Sequence, residues 1–157
     1  MLWGCANKKL TGKIETLQKK CVRNVALVNF KSHTEPLFKS LNLLKFTDKI
    51  LFWRANFVNK YRNKTLPISF SGLFNDITDS QELQTRNNWY NYQNIPAVRK
   101  KLEQFPYKQL ISTWNSLEIE LKSTYEEEDF NLLLKNKFIS NYNYETDCLR
   151  DCYVCNL

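Results

Sequence analysis

The stretch LQKKCVRNVALVNFKSHTEPLF, residues 17–38, opens as a basic amphipathic helix and closes in a turn that starts a second one. Followed upstream, its apolar positions are Leu10, Ile14, Leu17, Cys21, Val25 and Val28. Steps of three and four place all six on one stripe of an α-helix, which predicts a helix over about residues 8–28. Gly12 weakens the first turns, so the spacing favours a start nearer Lys13. On this reading the stripe faces the core, and Cys21 is a small apolar core residue. Lys9, Lys13, Lys20 and Arg23 lie off the stripe, and Lys19 flanks it. That cationic surface is either a grip for an anion or the solvated side of a core helix.

Downstream, HTEPLF reads as a helix start. Thr34 is placed to cap the first turn, Glu35 favours the positive end of the helix dipole, and Pro36 has no N–H to leave unpaired. His33, the sole histidine, stands in the turn before it. A third helix is expected from Thr47, with Ile50, Leu51, Trp53, Phe57, Val58 and Tyr61 as its apolar face. Lys49, Arg54, Lys60 and Arg62 fall mostly on the other side, and Leu66-Pro67 ends it, because a residue before proline avoids helical geometry. Residues 68–94 lose the period and read as an irregular aromatic and polar segment, with a short strand near 89–92. A short helix is expected over 97–104 and a longer one over 107–122, the latter with Leu110, Ile111, Trp114, Leu117 and Leu121 inward. Ser123 and Glu126 have the spacing of a capping box before a last helix that buries Phe130, Leu133, Leu134 and Phe138, with Tyr142 following.

The expected fold is therefore mainly α: a small helical domain over residues 1–142, with an irregular middle and one short β element at most, then a cysteine-rich tail over 143–157. Three glycines and four prolines in 157 residues fit helices joined by short connections. Hydrophobic residues make up 43%, enough for a real core.

Charge is distributed unevenly. Residues 1–64 hold 14 Lys and Arg against 3 Asp and Glu, whereas residues 65–157 hold 9 against 13. An anionic partner for the first part, RNA or DNA, is one explanation. No run of about 20 apolar residues is present, so no membrane partner is expected. MLWGCANKKL turns charged before an apolar run develops, which predicts an intracellular protein, nuclear or cytoplasmic.

Catalytic chemistry finds little to work with. Three glycines do not build a phosphate loop, no paired aspartates suit two-metal phosphoryl transfer, and a single histidine has no activated nucleophile beside it. The expectation is not an enzyme, and no cofactor. The tail qualifies this, since Cys148, Cys152 and Cys155 stand in a C-x3-C-x2-C arrangement. Three thiolates nearly enclose Zn²⁺, but a structural site takes four ligands. Either these are unpaired thiols, or they belong to a zinc knuckle, a single-strand RNA module, whose fourth ligand comes from Cys5, His33, a partner or a continuation of the chain past Leu157.

Several pieces stand in a collinear order: LWG, LQKKCVRNV, HTEPLF, the Leu66-Pro67 and Thr85-Arg86 pairs, and WNSL with Trp114, Asn115 and Leu117. This order resembles the C-terminal region of jockey-like, LINE-type non-LTR retrotransposon reverse transcriptases. Within it, Leu17, Gln18, Lys20 and Arg23 match a helix of form L-Q-x-K-x-x-R, and His33, Thr34, Pro36, Leu37 and Phe38 match H-T-x-P-L-F. Glu118 departs from the proline usual after W-N-x-L. The resemblance implies a C-terminal fragment or remnant of an RNA-directed DNA polymerase, lying beyond the palm with its catalytic aspartates. In the family, this post-thumb region is thought to help hold template RNA and target DNA.

On the cationic reading, Lys13, Lys19, Lys20, Arg23, Lys49, Arg54 and Arg62 contact phosphates, while Arg86 and Trp89 offer a guanidinium and a stacking platform for an unpaired base. Two alternatives stand beside it: a structural domain that packs on an upstream reverse transcriptase core, and a coding remnant without selected function.

Overall fold

The structure is a computed structural model and describes residues 8–74, 90–92 and 106–142. It is mainly helical. Among the described residues six α-helices follow in order: α1 Lys8–Val25, α2 Glu35–Ser40, α3 Phe46–Arg62, α4 Pro106–Asn115, α5 Ile119–Ser123 and α6 Glu127–Ser140, with a 3-10 turn over Ile68–Phe70 after α3. Among the described residues there is no strand. Tyr92 makes an isolated β-bridge where a short strand was expected. The helix expected over 97–104, the tail over 143–157 and most of the irregular middle lie outside the described residues.

The chain divides into two compact units. One comprises residues 6–50 with 134–157, the other residues 1–5 with 51–133.

In the α1–α2 unit, Val22, Leu37, Phe38 and Tyr142 form a buried cluster, with Ala26, Val28, Leu41 and Ile139 packed against it. The Phe38 and Tyr142 rings meet edge to face at 6.4 Å. This cluster corrects the expected orientation of α1. Leu10, Ile14, Leu17 and Val25 are 54%, 39%, 60% and 69% exposed, and Cys21 is an exposed free thiol, not a core residue. The inward face is instead Thr11, Glu15, Gln18, Val22 and Ala26, about a quarter turn round the helix. The cause is polar. The Gln18 side-chain amide donates to the Leu44 carbonyl at 2.9 Å and accepts from the Phe46 N–H at 2.8 Å, tying α1 to the connection before α3. Periodicity ranks faces by apolarity, whereas here a glutamine and a single valine select the inward one.

Helix ends also differ from expectation. Despite Gly12, α1 starts at Lys8, and nothing lies within 4 Å of where a Gly12 Cβ would be. Three helices close with left-handed residues that are not glycine: Leu27 (φ 53), Asn42 (φ 53) and Lys64 (φ 56). Each has paired hydrogen bonds of Schellman type; for α3 these are Thr65 N–H to the Lys60 carbonyl and Lys64 N–H to the Tyr61 carbonyl, both 3.0 Å. So α3 ends at Arg62, before Leu66-Pro67. Thr34 makes no side-chain cap; it is buried with helical backbone angles (φ −101, ψ −18), which are not those of a capping residue.

In the α4–α5 unit, Phe52, Ala55 and Val58 of α3, Leu110, Ile111 and Trp114 of α4, Leu121 of α5 and Phe130 of α6 are buried. The Trp114 and Phe130 rings lie 5.9 Å apart. Trp53 and Leu133, both expected inward, are exposed. The helix expected over 107–122 breaks at residues 116–118 into α4 and α5. Ser123 closes α5, its hydroxyl donating to the Glu120 carbonyl at 2.8 Å, so no capping box forms with Glu126. Glu127, Glu128 and Asp129 do occupy the first turn of α6, where the helix dipole favours them.

Candidate nucleic-acid interface

Turning α1 by a quarter turn relocates its cations. Lys13, Lys19 and Lys20 are exposed, and none has an ion-pair partner among the described residues. At 100° per residue, Lys13 and Lys20 share one sector, with the exposed apolar stripe between them and the core-facing Gln18. Lys19 lies on the far side, next to Arg23. Arg23 is half-buried and partly committed, since its Nε donates to the Ser32 carbonyl at 2.8 Å, pinning the turn after α1. Lys49, in the first turns of α3, is exposed. The α1–α2 unit therefore carries Lys13, Lys19, Lys20 and Arg23 on one helix and Lys49 on another.

Arg54 and Arg62 belong to the other unit and have internal duties. The Arg54 guanidinium donates to the Gln109 side chain, and the Arg62 guanidinium donates to the Lys122 carbonyl. Arg62 also lies over the rings of Tyr90 at 4.4 Å and Tyr125 at 5.3 Å. A planar guanidinium suits this mixture of hydrogen bonding and stacking. Arg62 thus ties the end of α3 to α5 rather than standing free. Arg86, Trp89, Cys148, Cys152 and Cys155 lie outside the described residues. Among the described residues, no group of three or more His, Cys, Asp or Glu is gathered to hold a metal.

The polar residues that organise both units escaped the sequence reading. In the α1–α2 unit, the Tyr142 hydroxyl accepts from the Lys45 N–H at 3.0 Å and donates to the Asp48 carboxylate at 2.5 Å. Lys45 lies over the Tyr142 ring at 4.4 Å and pairs with Glu35. Burial, then the bond to Asp48, holds the Tyr142 phenol well above its ordinary pKa. In the other unit Lys122 is 2% exposed, and its Nζ donates to Asn91 Oδ1 at 2.8 Å and to the Asn115 carbonyl at 2.9 Å. Burial pushes its pKa down. Nothing in the spacing of these residues announces the contacts, because their partners are up to 97 residues away.

Of the described helices, none is long and apolar enough to cross a membrane. Comparison of the chain with protein-family models, curated proteins and solved structures gives no match.

Proposed function

We propose that the chain is a helical accessory domain that binds nucleic acid through backbone phosphates, of the kind that follows the polymerase core in jockey-like non-LTR reverse transcriptases. The observation that carries this reading is the state of α1. Lys13, Lys19 and Lys20 are exposed, with no ion-pair partner among the described residues, on a helix whose inward side is fixed by Gln18 and Val22. Point charges on a fixed helix attract phosphate without reading bases. The family assignment rests on the collinear order of motifs alone. Two of those motifs have structural work in this chain: Gln18 and Arg23 anchor α1, and Trp114 with Asn115 hold residues 90–92. The reading assigns the chain no catalytic step. A gel-shift salt series on wild type and on a Lys13→Gln, Lys19→Gln, Lys20→Gln variant tests it.

A second reading is favoured by the exposed stripe Leu10, Ile14, Leu17 and Val25. A contiguous apolar helix face of this kind suits packing against another protein surface. In a longer protein that surface would be the polymerase core, and the domain would then be structural. Unaltered nucleic-acid binding in the triple Gln variant favours this alternative.

A further inference from the structure

In the α4–α5 unit a cavity of about 610 Å³ opens where α3 ends. Its lining includes the rings of Tyr61, Tyr92 and Phe70, the cations Arg62 and Lys64, and Pro67. That volume is typical of a small-molecule site, for which roughly 300–1,000 Å³ is usual. Among the described residues that line it there are two cations and no carboxylate.

The aromatic wall is preformed. Tyr92 is held through its backbone by Asn115, and its ring packs on Phe74 at 5.0 Å and faces Tyr61 edge-on at 6.0 Å. The Tyr61 hydroxyl accepts from the Phe74 N–H at 3.4 Å, which limits how that ring can turn. Phe70 stands edge-on to Phe57 at 5.6 Å and remains partly exposed. At the mouth, Lys64 occupies a left-handed conformation (φ 56) in which glycine or asparagine would be the easier residue. Arg62, whose guanidinium is already engaged, contributes positive field rather than a new contact.

Aromatic walls take the flat face of a base, and an unpaired ammonium at the rim takes a phosphate. We propose that this cavity receives one unpaired nucleotide of a single strand, with the base against Tyr61 and Phe70, the buried Tyr92 backing that wall, and its phosphate on Lys64. The inference rests on the reading of the chain as a nucleic-acid binder. A duplex cannot supply the base without breaking a pair, so the cavity adds affinity for single strands alone.

The test uses the full chain, a single-stranded DNA 15-mer carrying 2-aminopurine, and its fully paired duplex. Lys64→Gln and Phe70→Ala alter rim residues outside the buried core; circular dichroism checks that the fold is kept. The double variant is expected to bind the single strand at least about five-fold more weakly, to bind the duplex within two-fold of wild type, and to lose the 2-aminopurine signal. The α1 triple Gln variant is expected to weaken both nucleic acids alike. If the rim variant binds the single strand as wild type does while the α1 variant weakens, the cavity assignment is overturned and the α1 reading stands. If the rim variant selectively loses the single strand while the α1 variant does not weaken, the reverse holds. Equal loss of single strand and duplex in the rim variant, or no binding by wild type, overturns the cavity assignment as well.

Discussion

Asn115 grips Tyr92 from both sides of one residue: its Oδ1 accepts the Tyr92 N–H at 3.1 Å, and its Nδ2 donates to the Tyr92 carbonyl at 2.9 Å. One residue earlier, Trp114 Nε1 donates to the Tyr90 carbonyl at 2.6 Å. The C-terminal end of α4 therefore carries residues 90–92 through three side-chain bonds. Leucine at 115 keeps the volume but removes both side-chain bonds to the Tyr92 backbone. Asn115→Leu is expected to cost about 1–3 kcal/mol in urea unfolding, the usual range for lost part-buried hydrogen bonds.

The orientation of α1 gives a sharper contrast. Val22 is 4% exposed and Val25 is 69% exposed on the same helix. Val22→Asp buries a charge in the Phe38 and Tyr142 cluster and is expected to cost roughly 3–5 kcal/mol, whereas Val25→Asp stays within about 0.5 kcal/mol of wild type. Denaturation midpoints of the two variants decide between the two faces. A large loss for Val25→Asp with little for Val22→Asp would return the apolar stripe to the interior.

Among the described residues helix existence was legible in the sequence; orientation was legible for α4 and not for α1. The three-and-four spacing correctly announced α1, and Leu110, Ile111 and Trp114 correctly announced the inward side of α4. It failed where polar side chains choose the face. Gln18 makes two backbone hydrogen bonds that hydrophobic periodicity does not score. It also failed at helix ends, because Leu27, Asn42 and Lys64 terminate helices without the glycine that usually marks a stop. Of the candidate site, the exposed lysines of α1 were legible as off-stripe positions. The internal ties of Arg54 and Arg62 were not, since Gln109 and Lys122 are distant in the chain. Nor were Tyr61, Phe70 and Lys64, which meet at the cavity only because α3 ends where it does.

Gly12 offers a test of helix propensity alone. It sits inside α1 with open space where a Cβ would stand. Gly12→Ala is expected to stabilise the fold by about 0.5–1 kcal/mol, read as a higher urea midpoint with an unchanged slope. A lower midpoint would mean that the first turns of α1 are not helical in solution.

Stability at alkaline pH follows from Tyr142. In the unfolded chain this phenol ionises near 10, whereas in the fold burial and the bond to Asp48 keep it neutral to higher pH. Above pH 10 the unfolded state has lost a proton that the folded state retains. The stability Tyr142 contributes is therefore fully present below pH 10 and lost as pH rises beyond it. Lys122 acts in the opposite sense, because burial lowers its pKa and the penalty for charging it fades as pH rises toward its unfolded value of 10.5. Tyr142→Phe is expected to lose about 1–3 kcal/mol at neutral pH and to show a shallower decline above pH 10 than wild type. Parallel alkaline limbs for the two proteins would contradict the assignment.

The most direct measurement of the central claim is the salt dependence of nucleic-acid affinity, by gel shift from low to high salt, for wild type and for the Lys13→Gln, Lys19→Gln, Lys20→Gln variant. Three phosphate contacts removed should flatten the slope of log affinity against log salt by roughly 2–3, at about 0.7–0.9 for each contact, with every sequence weakened alike and the circular dichroism unchanged. Identical slopes and affinities for the two proteins would contradict it, and would leave the cationic side of α1 as a solvated helix face.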